Sequence, residues 1–468
     1  MLQGNSEQRI WDDRPEPDPV PPISLLYEGF GHFLDTFSRR DVYWLQLETA
    51  VDSFAVAMTK FYSDESRRRS AGLETLNKIF SFRDRQPLMA AAIGNVRTDG
   101  HYNGPHGAAS CIVKFKNELV DIHSIPVVEL TSYAAHSHAE AMGSPIGRAL
   151  FQGWRVPCLG LTVVGKFNIS GPSDESDMIY IPGPYITFYA MIFLGQWRVV
   201  SLTPTLSCIT SSCEGDDRKA LYAAFSGALE LLVRIDEDAA CYSLNPPPAL
   251  DRKEYTFPYV LRLKRPRGSK SNRYDNSNEN IEFRIRELHP DTQDYRHLYI
   301  ADTKASNKEV TKEIIVKFAR RYSFPLHEFC ARRGQAPNIL GFDQLPGGWF
   351  AIAMDYIIPT THPFRSSYLA THCNEWADEL ETLMKSFHEV DLVHGDLREP
   401  NILCNKDKVM LIDFDWGGKV KEACYPSAKL CSELTDGRGD ANSMITKADD
   451  IRVLGNTLKK LKEKAGLV

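Results

Sequence analysis

The chain has 468 residues, 43% of them hydrophobic and 25% charged, and a formal net charge of −6. That length gives two to three domains with a sizeable core. The slight acidic balance excludes a global attraction to nucleic acid or acidic membrane, so any such contact needs a local patch. Ten cysteines without a CxxC pair, and with no histidine at zinc-finger spacing, point to reduced, buried thiols rather than a disulfide framework or a zinc site.

Residues 1–22 are polar and proline-rich and predict a flexible lead; they hold no basic segment followed by an apolar run, so no ordinary signal peptide is visible. From Leu45 to about Phe82 the apolar residues fall at spacings of three and four, as in LQLETAVDSFAVAMTKFY, which predicts helices. From Leu88 to about Leu206 short runs such as CIVKF, CLGLTVVG, MIYIPG and WRVVSLTP alternate with Gly, Pro and Asn turns and with one helical piece, VVELTSYAAHSHAEAM. The most apolar stretch, YITFYAMIFLGQW (185–197), is too short to span a membrane, which needs roughly 20 residues. It reads as a buried strand, and no membrane partner is expected. A further amphipathic helix covers 216–239.

SLNPPPALDRK (243–253) then supplies a stiff, extended spacer. The expected division is therefore a first domain over 23–242, a proline-rich linker over 243–254 and a second domain over 255–468. RPRGSKSNRYDNSNEN (265–280) predicts a loop; after it come three strands (FRIREL, HLYIAD, EIIVKF), a helix, two more strands and helices.

Phosphoryl transfer needs a cation on the nucleotide phosphates, Mg²⁺ held by carboxylate and amide oxygens, and a base near the accepting hydroxyl. HGDLREPN (394–401) offers Asp396 as the base and, five residues on, Asn401 as a Mg²⁺ ligand; Arg398 between them can neutralise the transferring phosphate. LIDFDWGG (411–418) offers Asp413 as the second Mg²⁺ ligand at the end of an apolar strand. Lys317 lies inside the strand EIIVKF and needs a partner; Glu328, on the helix that follows, is the expected one, the pair gripping the phosphates of ATP. WFAIAMDYI (349–357) leads to an adenine-binding hinge at Met354 and Tyr356.

In this order and at this spacing these motifs resemble the eukaryotic protein-kinase-like superfamily over residues 255–468, with Asp450 and Gly455 resembling the helix that anchors the catalytic loop. The resemblance implies an α+β bilobal domain, with ATP and Mg²⁺ as cofactors and transfer to a Ser or Thr hydroxyl of a protein substrate that the sequence does not name. Three departures stand out: no glycine-rich loop over 288–297, DFD (413–415) in place of DFG, and a C-terminal lobe shortened after Gly455. A pseudokinase scaffold is the other reading, separated from the enzyme by loss of the Asp396 carboxylate.

In the first half, IGNVRTDGHYNGPHGAASCIVKFKNEL (93–119) places Asp99 in a turn and Lys116 and Glu118 on the next strand. Metal-dependent phosphodiesterases use such a set, acids on Mg²⁺ and a lysine on the phosphate. The plain alternative is a surface strand with solvated Lys114, Lys116 and Glu118. Together with PPISLLYEGFGHFLD, AAIGNVRTDGH, FKNEL, PCLGLTVVGKFNISG and HEFCARRGQAP, the chain resembles the Crinkler-type proteins of fungi and oomycetes. In these an α/β restriction-endonuclease-like domain is fused to a protein-kinase-like one. The resemblance implies a secreted effector acting in a host nucleus, or else a cytoplasmic or nuclear protein, with a nucleic-acid contact through the first domain. It also implies an acid two residues before the strand lysine, where Lys114 stands, and a helix glutamine where Glu129 stands, with Tyr133 four residues on. Either Glu118 takes over as ligand or cleavage is lost. RLKRPRGSK (262–270), with Lys264, Arg265, Arg267 and Lys270, reads as a nuclear-import or phosphate-contacting patch, or as a solvated strand end. His136 and His138, two apart on a helix, face different ways and predict no metal site.

Overall fold

A computed structural model describes residues 10–11, 21–40, 45–81, 85–119, 126–169, 179–209, 215–266, 279–290, 297–303, 312–358, 361–405, 408–426, 434 and 443–467. The chain divides into two compact units, residues 1–259 and 260–468.

The first unit runs β1 (Ile10–Trp11), α1 (Ile23–Leu26), α2 (Glu28–Arg39), α3 (Leu45–Thr59), α4 (Glu65–Phe80), β2 (Ala92–Ile93), β3 (Val96–Arg97), β4 (Gly100–Asn103), β5 (Ala109–Leu119), α5 (Pro126–Met142), α6 (Pro145–Gly153), β6 (Pro157–Ile169), β7 (Ile179–Phe193), β8 (Trp197–Ser201), β9 (Leu206–Ser207) and α7 (Gly215–Leu244). One mixed sheet in the order β1-β8-β7-β6-β5-β4, with β9 against β7, forms the middle layer. β5 and β6 are parallel, joined by the α5–α6 crossover, while β4–β5 and β6–β7 are antiparallel.

Alternation along β5 decides the layering, because successive side chains leave opposite faces of a strand. Cys111, Val113 and Phe115 enter the large core with Phe54, Leu76, Phe188 and Phe225 from α3, α4, β7 and α7. Ile112 enters a smaller core with Leu130, Ala134, Cys158 and Met191 beneath α5. Lys114 and Lys116 share the parity of Ile112 and so lie on the α5 side.

Two expectations are corrected here. The flexible lead contributes an edge strand, since Ile10–Trp11 pairs parallel to Trp197–Arg198. The proline-rich spacer packs on the first unit instead of standing between domains. Leu250 N donates to Gln152 O (2.8 Å), Tyr255 Oη to Phe151 O (3.1 Å) and Tyr259 N to Leu25 O (2.7 Å). With these hydrogen bonds the first unit runs to 259, past the expected end of the linker at 254.

The second unit opens with the antiparallel sheet β10-β11-β12-β13-β15-β14, built from β10 (Arg262–Lys264), β11 (Asn280–Leu288), β12 (His297–Thr303), β13 (Glu313–Ala319), β14 (Ile339–Leu345) and β15 (Trp349–Asp355). α8 (Phe324–Arg332) sits between β13 and β14 in the chain. A helical part follows: α9 (Leu369–Glu389), the short pairs β16 (Leu392–Val393) with β19 (Gly418–Lys419) and β17 (Ile402–Cys404) with β18 (Val409–Leu411), and α10 (Lys447–Lys464). Its core gathers Trp376, Leu380, Phe387, Leu397, Phe414, Leu454 and Leu458. α10 begins with a capping box, Thr446 and Asp449 each satisfying the other's backbone donor. No described helix is long and apolar enough to cross a membrane.

Candidate functional site

Inside the second unit a cavity of about 610 Å³ is lined by strand residues Ile315, Lys317 and Met354, by Tyr356 just after β15, and by Asp413 and Asp415 after β18. β13 brings Lys317 there because it lies between β12 and β15, paired with Leu298 and Ile352. The Lys317 ammonium lies 2.5 Å from Asp413 Oδ1 and 2.6 Å from Asp415 Oδ1. Burial by itself would lower the lysine's pKa; the two carboxylates more than offset this and hold it above the usual range. Burial also pushes the Asp415 carboxyl up to about 7, against Lys317 and with the Asp413 charge beside it.

The expected Lys317–Glu328 pair does not form. Glu328 accepts from Arg332 at 2.8 Å, one turn along the same helix. The helix pair is local, so α8 supplies no acid to β13, and the acids come from 413 and 415 instead. Asp415 is the residue sequence reasoning passed over. Its signal was present: two carboxylates only two residues apart in the chain can both reach one ammonium.

Phe414, between them, points the other way. Its ring stacks on His327 (centroids 4.5 Å, 12°) and tilts against His394 (5.4 Å). His327 is neutral, its pKa held down to about 3 by burial against the opposing pull of the Pro337 carbonyl. Its Nε2–H therefore donates to Pro337 O (2.8 Å) and Nδ1 accepts from Tyr322 Oη (2.6 Å). Asp413 itself has φ of 65°, a left-handed conformation costing a non-glycine residue roughly 1–3 kcal/mol and concentrated at functional sites.

The loop after β16 is held from below by α10. The fully buried Asp450 accepts from His394 N (2.8 Å), Gly395 N (2.7 Å) and His388 Nε2 (3.1 Å). Gly395 has φ of 84°, and a Cβ there would lie 2.6 Å from Ile445 Cδ1, so glycine at this position is a backbone requirement. Asp396 is buried; its carboxylate accepts a fork from Arg398 Nε (2.5 Å) and a terminal nitrogen (2.9 Å). Arg398, expected on a transferring phosphate, is turned onto the candidate base. Asn401 Nδ2 donates to Asp396 O (3.0 Å), while its Oδ1 is buried with no hydrogen-bond partner. An unpartnered amide oxygen and carboxylates are hard donors of the kind Mg²⁺ takes, and Mg²⁺ does not require a complete protein cage; Asp396 and Asn401 themselves are not on the lining of the cavity that Asp413 and Asp415 share. Among the described residues no three His, Cys, Asp or Glu side chains form a ready metal site.

In the first unit, Asp99, Lys114, Lys116 and Glu129 do come together. Lys114 Nζ is 2.9 Å from Asp99 Oδ2, 2.8 Å from Glu129 Oε2 and 3.8 Å from Glu65 Oε1; Lys116 Nζ is 3.1 Å from Glu129 Oε1. Arg69 reaches Asp99 Oδ1 at 3.3 Å, and Phe115 N donates to Asp99 Oδ2 at 3.0 Å. Tyr133, one turn after Glu129, faces Lys114 with its ring at 6.0 Å. The plain reading of a solvated strand is overturned, since Lys114 is only 5% exposed. Burial would lower its pKa, but Glu129 and Asp99 hold it above the usual range. A divalent ion does not fit between these carboxylates while the ammonium is there. The Glu118 side chain lies outside the described residues.

Lys264 is exposed and lies 3.7 Å from Asp343; Arg265 is half-buried; Arg267 and Lys270 lie outside the described residues. His136 is exposed and its Nδ1 donates to Ser132 O, while His138 is buried against Phe151 and Phe193. The described cysteines are free thiols.

The family model described as the RIO domain matches residues 351–424, from β15 past β19. No curated protein matches the chain. Among solved structures, the kinase PK-1 of Cydia pomonella granulovirus is similar at 16% identity and a TM-score of 0.31, over 38% of this chain and 70% of that one. The chain thus carries a C-terminal RIO-type atypical-kinase domain, a catalytic domain of the phosphotransferase class.

Proposed function

We propose that the second unit transfers the γ-phosphoryl group of ATP to a Ser or Thr hydroxyl of a protein. The observation that carries this reading is the meeting of Lys317 with Asp413 on the wall of one cavity that also exposes Met354 and Tyr356. Lys317 would bind phosphate oxygens, Met354 and Tyr356 would bound the adenine, and Asn401 and Asp413 would hold Mg²⁺. Bound Mg²⁺ supplies charge neutralisation on the phosphates. Asp396 would orient the accepting hydroxyl once Arg398 turns from it to the incoming phosphate. The test is incubation with γ-labelled ATP and Mg²⁺. Labelling of the protein itself or of a generic acceptor is expected in the wild type, with a fall of roughly 10²–10⁴ in Asp396→Asn. Equal labelling in both would remove Asp396 from the chemistry.

For the first unit we infer a Crinkler-type, restriction-endonuclease-like site that has lost metal-dependent cleavage. What supports this is Lys114 lodged between Asp99 and Glu129. A nucleic-acid contact without cleavage, and action as a secreted effector in a host nucleus, go with that reading. Salt-dependent DNA binding that survives Asp396→Asn, without plasmid nicking in Mg²⁺, is its expected signature. Nicking lost in Asp99→Ala would overturn it.

A further inference from the structure

We propose that Asp415 is a direct ligand of the nucleotide's divalent cation, so that this site holds the metal with two carboxylates, Asp413 and Asp415, together with Asn401. The inference rests on the phosphotransferase reading of the second unit.

Two acids meet a single cation on the cavity wall, the ammonium lying at 2.5 and 2.6 Å from the carboxylates. The helix acid that would otherwise neutralise Lys317 is engaged with Arg332. Lys317 thus meets two acids and can neutralise only one of them when both are ionised. The Tyr322 ring beside the ammonium, 5.8 Å from it, brings no formal charge.

Arrival of a triphosphate adds negative charge. The ammonium is the cation of this group that phosphate oxygens would attract, and its turning to them would leave Asp413 and Asp415 facing further negative charge. A divalent cation between carboxylates and phosphate removes that repulsion, and hard oxygen donors suit Mg²⁺ or Mn²⁺. A third donor is prepared. Asn401 is 1% exposed with an unpartnered Oδ1, and its own carbonyl accepts from Ile412 N at 2.9 Å, which ties it to the segment carrying both acids. Side-chain direction completes the argument. Phe414 is buried against His327 and His394, while Asp413 and Asp415 on either side of it both line the cavity.

The competing role for Asp415 is that of a counter-ion to Lys317 alone, taking the place of the missing helix acid. Electron paramagnetic resonance of Mn²⁺, titrated into the full chain with a non-hydrolysable ATP analogue, separates the two. A parallel titration of the analogue in EDTA reads nucleotide affinity without metal. Asp415→Asn is expected to weaken Mn²⁺ at least tenfold while analogue affinity in EDTA holds or rises, and Asp415→Glu is expected to recover part of the Mn²⁺ affinity. Circular dichroism and thermal unfolding check the fold, with Asp415→Ser as a second variant. If Asp415→Asn leaves Mn²⁺ within twofold and weakens the analogue in EDTA, Asp415 is a counter-ion and the proposal is overturned. If the wild type binds the analogue neither with Mn²⁺ nor in EDTA, the phosphotransferase reading falls first and the proposal with it.

Discussion

Lys317 depends on Asp413 and Asp415, not on Glu328, and this difference can be measured residue by residue. Lys317→Met is expected to weaken nucleotide binding at least tenfold, whereas Glu328→Gln, which breaks only an exposed i,i+4 pair worth a few tenths of a kcal/mol, is expected to change it less than twofold by isothermal titration. A tenfold loss in Glu328→Gln would mean that α8 moves onto β13 when nucleotide binds. Gly395 offers a stability test: Gly395→Ala forces a side chain into a left-handed conformation beside Ile445, at a cost of about 1–2 kcal/mol, read by urea denaturation. The meeting of Lys317 with Asp413 and the nearness of Asn401 to Asp396 were legible in the sequence, because loop and strand-end polar residues at fixed spacing need few assumptions about packing. The partner of Lys317 was not legible: whether an acid eleven residues on reaches a strand depends on helix rotation, and on Arg332 competing for it.

At the scale of elements, β5 and α5 decide what the first unit can do. The parity of β5 sends Lys114 and Lys116 under α5, and the first turn of α5 brings Glu129 to them. Removing the cation alone, as in Lys114→Met, leaves Asp99 with Arg69 and Glu129 with Lys116 as partial replacements, so the cost is expected to stay below the roughly 3–5 kcal/mol of a fully broken buried pair and to show as a drop in the thermal midpoint. Lys114→Glu instead gathers acids at 99, 114 and 129, and is expected to gain one Mn²⁺ site that Asp99→Asn abolishes, read in an Asp413→Asn background to silence the other unit. Failure to gain it would mean that the ammonium does not occupy a cation position. Sequence alone left Lys114 open between a solvated surface and a lost ligand, since alternation names a face but not what covers it.

Across the whole molecule the strands and helices largely follow their periodicity, and the departures come from long-range pairing. Ile10–Trp11 joins the sheet only because β8 offers an edge nearly two hundred residues later, and residues 243–259 stay with the first unit through backbone hydrogen bonds invisible in a triple proline. Histidines shielded from water give each unit its own acid sensitivity. In the first unit burial holds His106 and His138 down to about 4, and in the second it holds His297 to about 4 and His327 to about 3. Because these folded values lie below the unfolded value near 6.5, the stability they contribute is complete above pH 6.5 and is lost as pH falls toward 4. The loss is roughly 1–2 kcal/mol for each at pH 5. In the second unit Asp415, raised to about 7, works in the opposite direction. Amide exchange corrected for intrinsic rates should therefore show α5 and α6 losing more protection between pH 7 and pH 5 than β13 and α8. Equal losses would contradict the assignment of the histidines as neutral and shielded from water.

The most direct test of the central claim is calorimetric titration of ATP into the full chain with Mg²⁺ and again with EDTA, for the wild type, Lys317→Met and Asp413→Asn. The account predicts saturable binding strengthened by Mg²⁺ in the wild type, at least tenfold weaker binding in Lys317→Met, and loss of the Mg²⁺ dependence in Asp413→Asn. Absence of binding at millimolar ATP, or one affinity for all three chains with and without metal, would contradict it.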